Sequence, residues 1–194
     1  MDKNTSIENF IRMAAPVEWW EYSQELKVAS EELWKLNSTS FISIYSSDVT
    51  EITQRPSVSR TYMLIIGISL ENMIKGLLIS EESNYLKDGR LDPAISSGHN
   101  LYDLSNKVKI FKFTETEQNL LKILSGALPN WGKYPVPKKF DQIVLETHST
   151  PEFRIVFLDL YSKLERAIFE MTKSGWNGPN NVHIGGWSSS HLKN

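Results

Sequence analysis

The chain has no cysteine in 194 residues. That absence excludes disulfides, thiol nucleophiles and Cys-ligated metal together. Histidine is scarce, with four in all, and no His-x-x-x-His pair occurs, so no metal site is expected. No Gly-rich phosphate loop of either common spacing and no Gly-x-Ser-x-Gly elbow is present, so no cofactor is expected. Neither sign of charge dominates. Twenty-one Lys and Arg stand against 23 Asp and Glu, a formal −2, so no global field draws in nucleic acid or membrane. Long hydrophobic runs are missing too. The longest, Tyr62 to Leu70, is broken by Gly67 and Ser69 and falls short of the roughly 20 residues a bilayer span needs. Met1-Asp2-Lys3-Asn4-Thr5 lacks the apolar region of a signal peptide. These absences predict a cytoplasmic protein with no membrane partner.

What is present is a globular composition, 40% hydrophobic and 23% charged. The length suits one domain with a real core. Pro16 suits a first helical turn, and Trp19, Tyr22, Leu26, Ala29, Leu33 and Leu36 then recur at three- and four-residue steps. That pattern predicts a helix over 16–37 with this stripe inward. Residues 39–56 hold Phe41, Ile42, Ile44 and Tyr45, but Ser46-Ser47-Asp48 and Arg55-Pro56 break the run. Phe41 to Tyr45 would suit a short strand, but the stretch reads as a connection with room for one helical turn, with no convincing strand pair.

Ser57 is the expected cap of a long helix to about Glu82, apolar nearly all round and therefore central. Gly67 inside it costs about 1 kcal/mol against Ala, which a close helix crossing would explain. Asn84, Asp88-Gly89 and Pro93 mark 83–98 as a loop of hairpin type. Asn100 caps a short helix over 100–109. Thr114-Glu115-Thr116-Glu117 is a capping box opening a helix over 114–128, which Pro129 stops. Trp131 to Pro137 carries two prolines two apart and reads as extended. Thr150-Pro151-Glu152 opens the last long helix, 150–173, with Phe153, Val156, Phe157, Leu160, Leu164, Ala167 and Met171 as its inner stripe. The expectation is an all-α bundle of about five helices over 1–174. A Gly-, Asn- and Ser-rich tail, 175–194, is expected to be flexible or to order against a protein partner.

Three groups of residues are candidates for chemistry. Glu71 and Lys75 stand four apart, acid first. They are either a helix-stabilising pair or a polar cluster at a groove, with Lys75 neutralising a phosphate or holding His99. His99 precedes a helix start, where a neutral imidazole serves as a base or phosphate contact, or merely orders the turn. Residues 105–139 hold seven lysines against two glutamates. With Trp131 and Tyr134 interleaved, Lys133, Lys138 and Lys139 suit phosphate binding with base stacking; the alternative is a solvated lysine-rich face.

The stretch Glu71-Asn72-Met73-Ile74-Lys75 followed by Gly98-His99-Asn100-Leu101 resembles the core of HEPN domains, small all-α modules of bacterial defence and toxin–antitoxin systems. In that family an E-x-x-x-K helix precedes a (G/T)H-x-L helix start. Gly132-Lys133-Tyr134-Pro135-Val136-Pro137 looks like a GRYPVP element in a group of HEPN-like proteins. The resemblance implies a helical bundle, pairing of two copies through the long helices, and RNA or nucleotide binding through Glu71, Lys75, His99, Lys133, Tyr134, Lys138 and Lys139. His99 is the candidate catalytic residue. Ribonucleolytic members carry Arg-x(4–6)-His, and here the nearest approach is Arg90 with His99, nine apart. Ribonuclease activity is therefore not implied. A nucleotide-binding member, a pseudo-enzyme or a non-catalytic adaptor is equally consistent.

Overall fold

A computed structural model describes residues 2–37, 39–45, 48, 52–130, 132, 139–142 and 147–188. The architecture is mainly helical, 63% of the chain, with seven α-helices and three two-stranded hairpins among the described residues. The helices are α1 (Lys3–Met13), α2 (Pro16–Asn37), α3 (Ser59–Glu81), α4 (Pro93–Ser96), α5 (Leu101–Ser105), α6 (Glu115–Ala127) and α7 (Pro151–Thr172).

The centre is α3. Tyr62, Met63, Ile66, Leu70, Met73, Ile74, Leu77 and Ile79 are fully buried. They meet Leu120, Leu121 and Leu124 of α6, Leu101 and Leu104 of α5, and Phe157, Leu160, Leu164 and Ile168 of α7 in one core. A helix surrounded on every side must be apolar on every side, which its sequence is. By length and composition alone α3 would pass as a membrane span, but 72% of its most apolar window is buried inside the protein.

Local chemistry explains several ends as expected. The Asn100 side chain accepts from the Asp103 amide and caps α5. Thr114 and Glu117 form the reciprocal capping box of α6. Thr150 accepts from the Phe153 amide, with Pro151 in the first turn of α7. Asp88 and Gly89, with φ of 54° and 70°, turn the short hairpin β3 (Leu86–Lys87) and β4 (Arg90–Leu91). Asp-Gly suits that two-residue turn because both central residues need positive φ. Gly67 does sit at a close crossing, since a Cβ there would lie 3.0 Å from the Leu128 side chain.

Other expectations need correction. Helix α1 was not anticipated; Ile11, with Ile7 and Phe10, anchors a short and otherwise polar helix to the core. The described residues of 39–56 are not a connection with a helical turn. They form an antiparallel hairpin, β1 (Phe41–Tyr45) and β2 (Ile52–Pro56), with Phe41 opposite Pro56 and Tyr45 opposite Ile52. The β-branched and aromatic run prevails, and Pro56 is tolerated because it closes a strand. Ser57 does not cap α3, which begins after Val58 without a side-chain cap. Its hydroxyl instead donates to Ser40 Oγ at 2.6 Å and its amide to the Ser40 carbonyl at 2.8 Å, closing the hairpin. The predicted helix over 100–109 ends at Ser105, because Glu81 captures the amides of Lys109 and Ile110 at 3.0 and 2.8 Å.

The predicted tail also folds back as far as residue 188. Strands β5 (Trp176–Asn177) and β6 (His183–Ile184) pair, with Trp176 and Val182 buried. The Trp187 ring lies 4.5 Å from that of Trp20, and its Nε1 donates to Thr172 Oγ1 at 2.8 Å. Three large apolar side chains outweigh the polar composition around them.

The inner faces of two helices differ from prediction. In α2 the buried residues are Pro16, Ser23, Ser30 and Asn37, seven apart, while Tyr22, Ala29 and Leu36 face solvent. Small residues bring α2 close to α3, where Ser23 Oγ donates to the Ser69 carbonyl at 2.9 Å and Ser69 Oγ to the Ser23 carbonyl at 3.1 Å. A Cβ on Gly76 would lie 2.9 Å from the Cβ of Trp19, so this approach requires glycine. In α7 the buried set adds Tyr161, Glu165, Ile168 and Thr172, with Phe153, Val156, Ala167 and Met171 half-buried.

Candidate functional site at His99

The site is built on the fourth turn of α3. Glu71 and Lys75 share one face of that helix, and both are buried. Lys75 Nζ donates to Glu71 Oε1 at 2.6 Å. The second oxygen, Oε2, lies 2.9 Å from His99 Nδ1. The pair is therefore no solvated helix brace. It is a buried ion pair with one oxygen left over, and the imidazole takes that oxygen.

The chain reaches this position through a turn at Gly98, whose φ of 87° would strain any residue with a Cβ. Asn100 then starts α5, whose Tyr102 amide donates to Ser125 Oγ at 3.2 Å on α6. His99 thus hangs between α3 and the junction of α5 with α6. With only five residues in α5, it is Glu71 rather than a helix terminus that holds the ring. A carboxylate on Nδ1 keeps the proton there and leaves Nε2 as the second ring nitrogen. The His99 side chain is 59% exposed, so Nε2 is open to a ligand. Neutral, it accepts a proton or a hydrogen bond; protonated, it donates to an oxyanion.

Lys75 is not placed to neutralise a phosphate. Its ammonium is engaged with Glu71, and it is Glu71, not Lys75, that holds His99. Of the predicted phosphate contacts, Lys139 is exposed and has no partner that ties it to His99. Lys133, Tyr134 and Lys138 lie outside the described residues, as do Trp131 and Pro135 to Pro137. A cation that sequence reading counted only as part of a charge run packs on a ring of α5. Lys122 Nζ sits 4.6 Å above the Tyr102 ring, three residues beyond His99. Lys107 is turned to the Ala94 carbonyl at 3.0 Å. No periodic signal links 71 with 99 or 102 with 122, so these pairings are tertiary facts. Among the described residues no three His, Asp or Glu gather as a metal-binding set.

No family model matches the chain, and neither a curated protein nor a solved structure matches it.

Proposed function

We propose that the protein is a HEPN-like component of bacterial defence or toxin–antitoxin type, cytoplasmic, that binds RNA or a nucleotide at His99. The observation that carries this reading is the Lys75–Glu71–His99 chain, in which a buried carboxylate orders an exposed imidazole. Burying a charge pair is costly, and a fold that merely braced a helix would leave it in solvent. Residues Glu71, Lys75 and His99 also stand at the E-x-x-x-K and GH-x-L positions on which the resemblance rests. Lys122 and Tyr102 add a cation and a ring beside the same turn, the combination that phosphate and base require.

His99 alone does not complete a ribonuclease site. In-line attack by a ribose hydroxyl needs a base and a second group to stabilise the phosphorane charge, and the Arg that supplies it at fixed spacing in active members has no counterpart here. The protein should therefore bind without cleaving, or cleave slowly.

Fluorescence anisotropy with a labelled single-stranded RNA tests this. Affinity should fall steeply as salt rises. His99→Ala and Lys122→Ala should each weaken it several-fold with unchanged circular dichroism. The same RNA incubated with the protein in EDTA should stay largely intact. No binding of RNA or nucleotides at high micromolar protein would overturn the reading. Robust cleavage abolished by His99→Ala would make His99 catalytic.

A further inference from the structure

Along the seam of α2 with α7 the chain twice sets a cation on an aromatic ring, and a third place of the same kind lacks its cation. Arg154 Cζ lies 5.5 Å from the centre of the Trp34 ring, and its guanidinium forks onto the Glu31 carboxylate, with Nε donating to Oε1 at 3.2 Å. One heptad nearer the start of α2, Lys27 Nζ lies 4.5 Å from the centre of the Tyr161 ring. One heptad further again stands Trp20. Its indole N–H donates to Glu165 Oε1 at 2.9 Å, and the Gln24 amide donates to the same oxygen. Here the ring and the carboxylate are in place, but among the described residues no Lys or Arg forms an ion pair with Glu165. Glu165 is only 5% exposed. Two neutral donors satisfy one of its oxygens without offsetting its charge, and a buried charge with no counter-charge is costly.

Trp20 and Gln24 are also walls of an open groove of about 440 Å³, completed by Glu25 and Val28. Trp20 packs partly on the core and partly lines this groove. Its ring is held in place, because Trp187 packs against it at 4.5 Å and Phe169 meets Trp187 edge-on at 5.4 Å. Glu25 is exposed at the rim, and Val28 is 63% exposed. We infer that this groove receives an arginine side chain presented by a partner protein, at a site separate from His99. The guanidinium stacks on the Trp20 ring, the aliphatic stem lies along Val28, and Glu25 and Glu165 supply the opposite charge. Open walls suit a side chain carried on another surface; a small molecule needs most of its own surface enclosed. Arginine suits the place better than lysine, because a planar, weakly hydrated guanidinium stacks on indole and pairs with carboxylate at once. Arg154 does both with Trp34 and Glu31 in this same seam.

The probe is the side chain itself, as N-acetyl-arginine amide, titrated into the nitrogen-15-labelled full chain and followed by NMR. The chain has six tryptophans, and the indole signal of Trp20 is identified by its loss in Trp20→Phe. That signal should move progressively, with an affinity in the millimolar range for one exposed side chain. N-acetyl-citrulline amide, which has the same shape without the charge, should leave it in place, and N-acetyl-lysine amide should bind several-fold more weakly. Glu25→Gln, an exposed change, should weaken arginine binding several-fold with an unchanged helical spectrum. Glu165→Gln keeps an oxygen for the Trp20 N–H and should weaken it at least as much. No movement of the Trp20 signal at tens of millimolar arginine amide overturns the proposal. So does an equal response to citrulline, which means an apolar contact only, or to lysine, which means no selection for guanidinium. Binding that neither glutamine variant weakens overturns it too.

Discussion

Helices α2 and α3 are 22 and 23 residues long and lie side by side, yet they resolve the same problem in opposite ways. In α3, fifteen residues are buried, including Glu71 and Lys75. In α2 the buried residues are a proline, two serines and an asparagine, while Tyr22, Val28 and Leu36 stay outside. Burial here follows position in the packing rather than the hydrophobicity of the residue. A central helix is surrounded whatever it carries, so its polar residues must find partners within the fold. A flanking helix can approach closely only through small side chains, so its larger apolar residues turn to its flanks.

The sharpest test of that contrast is the ion pair of α3. Glu71→Ala strands a buried ammonium and should cost about 3–5 kcal/mol by urea denaturation; Lys75→Ala should behave similarly. The joint change Glu71→Leu with Lys75→Met should cost less than either single change. Equal and additive losses would mean the two residues act independently and the site is not a unit. Next in size are Leu70→Ala and Ile74→Ala, both fully buried. Each should destabilise by about 2–5 kcal/mol. Shifts under about 1 kcal/mol for both would remove α3 from the core.

The α2–α3 contact should respond less. Gly76→Ala gains about 1 kcal/mol of helix propensity. It also drives a Cβ to 2.9 Å from that of Trp19, and the net should be a loss of about 1–3 kcal/mol. A stabilised Gly76→Ala protein would show that the two helices are not in close approach. On the outer stripe, Tyr22→Ser and Leu36→Ser should change stability by about 0.5 kcal/mol or less in dilute solution. A large loss there would place the stripe inward after all.

The smallest effect is alkaline. Burial, and then the nearby Glu31 carboxylate, raise the Tyr62 hydroxyl above the ordinary phenol range; burial does the same for Tyr161. The unfolded chain therefore gives up these protons first. The stability they carry is complete below about pH 10 and falls as pH rises beyond it. Tyr62→Phe and Tyr161→Phe should each flatten that fall in thermal melts above pH 10, and an unchanged slope would locate the alkaline loss elsewhere.

Much of the helical frame was legible in the sequence. Asn100, the Thr114–Glu117 box and Thr150-Pro151 act within one turn of themselves, so their neighbours along the chain suffice to read them. The Asp88-Gly89 turn is local in the same sense. Helix α1 and the β1–β2 hairpin were not legible. The first has a short, mostly polar sequence, and the second depends on pairing between strands separated by a polar connection. The apolar period of α2 was real, but a period says only that residues share a face.

The sequence by itself determined the helical class, the central place of α3 and most helix starts, because propensity, capping and an all-round apolar surface are properties of contiguous residues. It also placed Glu71 and Lys75 one turn apart. Tertiary structure alone decided that this pair is buried, that its spare oxygen meets an imidazole 28 positions away, and that α2 buries Ser23 and Ser30 while Tyr22 and Leu36 face solvent. Those outcomes depend on which surfaces meet, and the packing of α3 against its neighbours, not local periodicity, selects among the faces each helix offers.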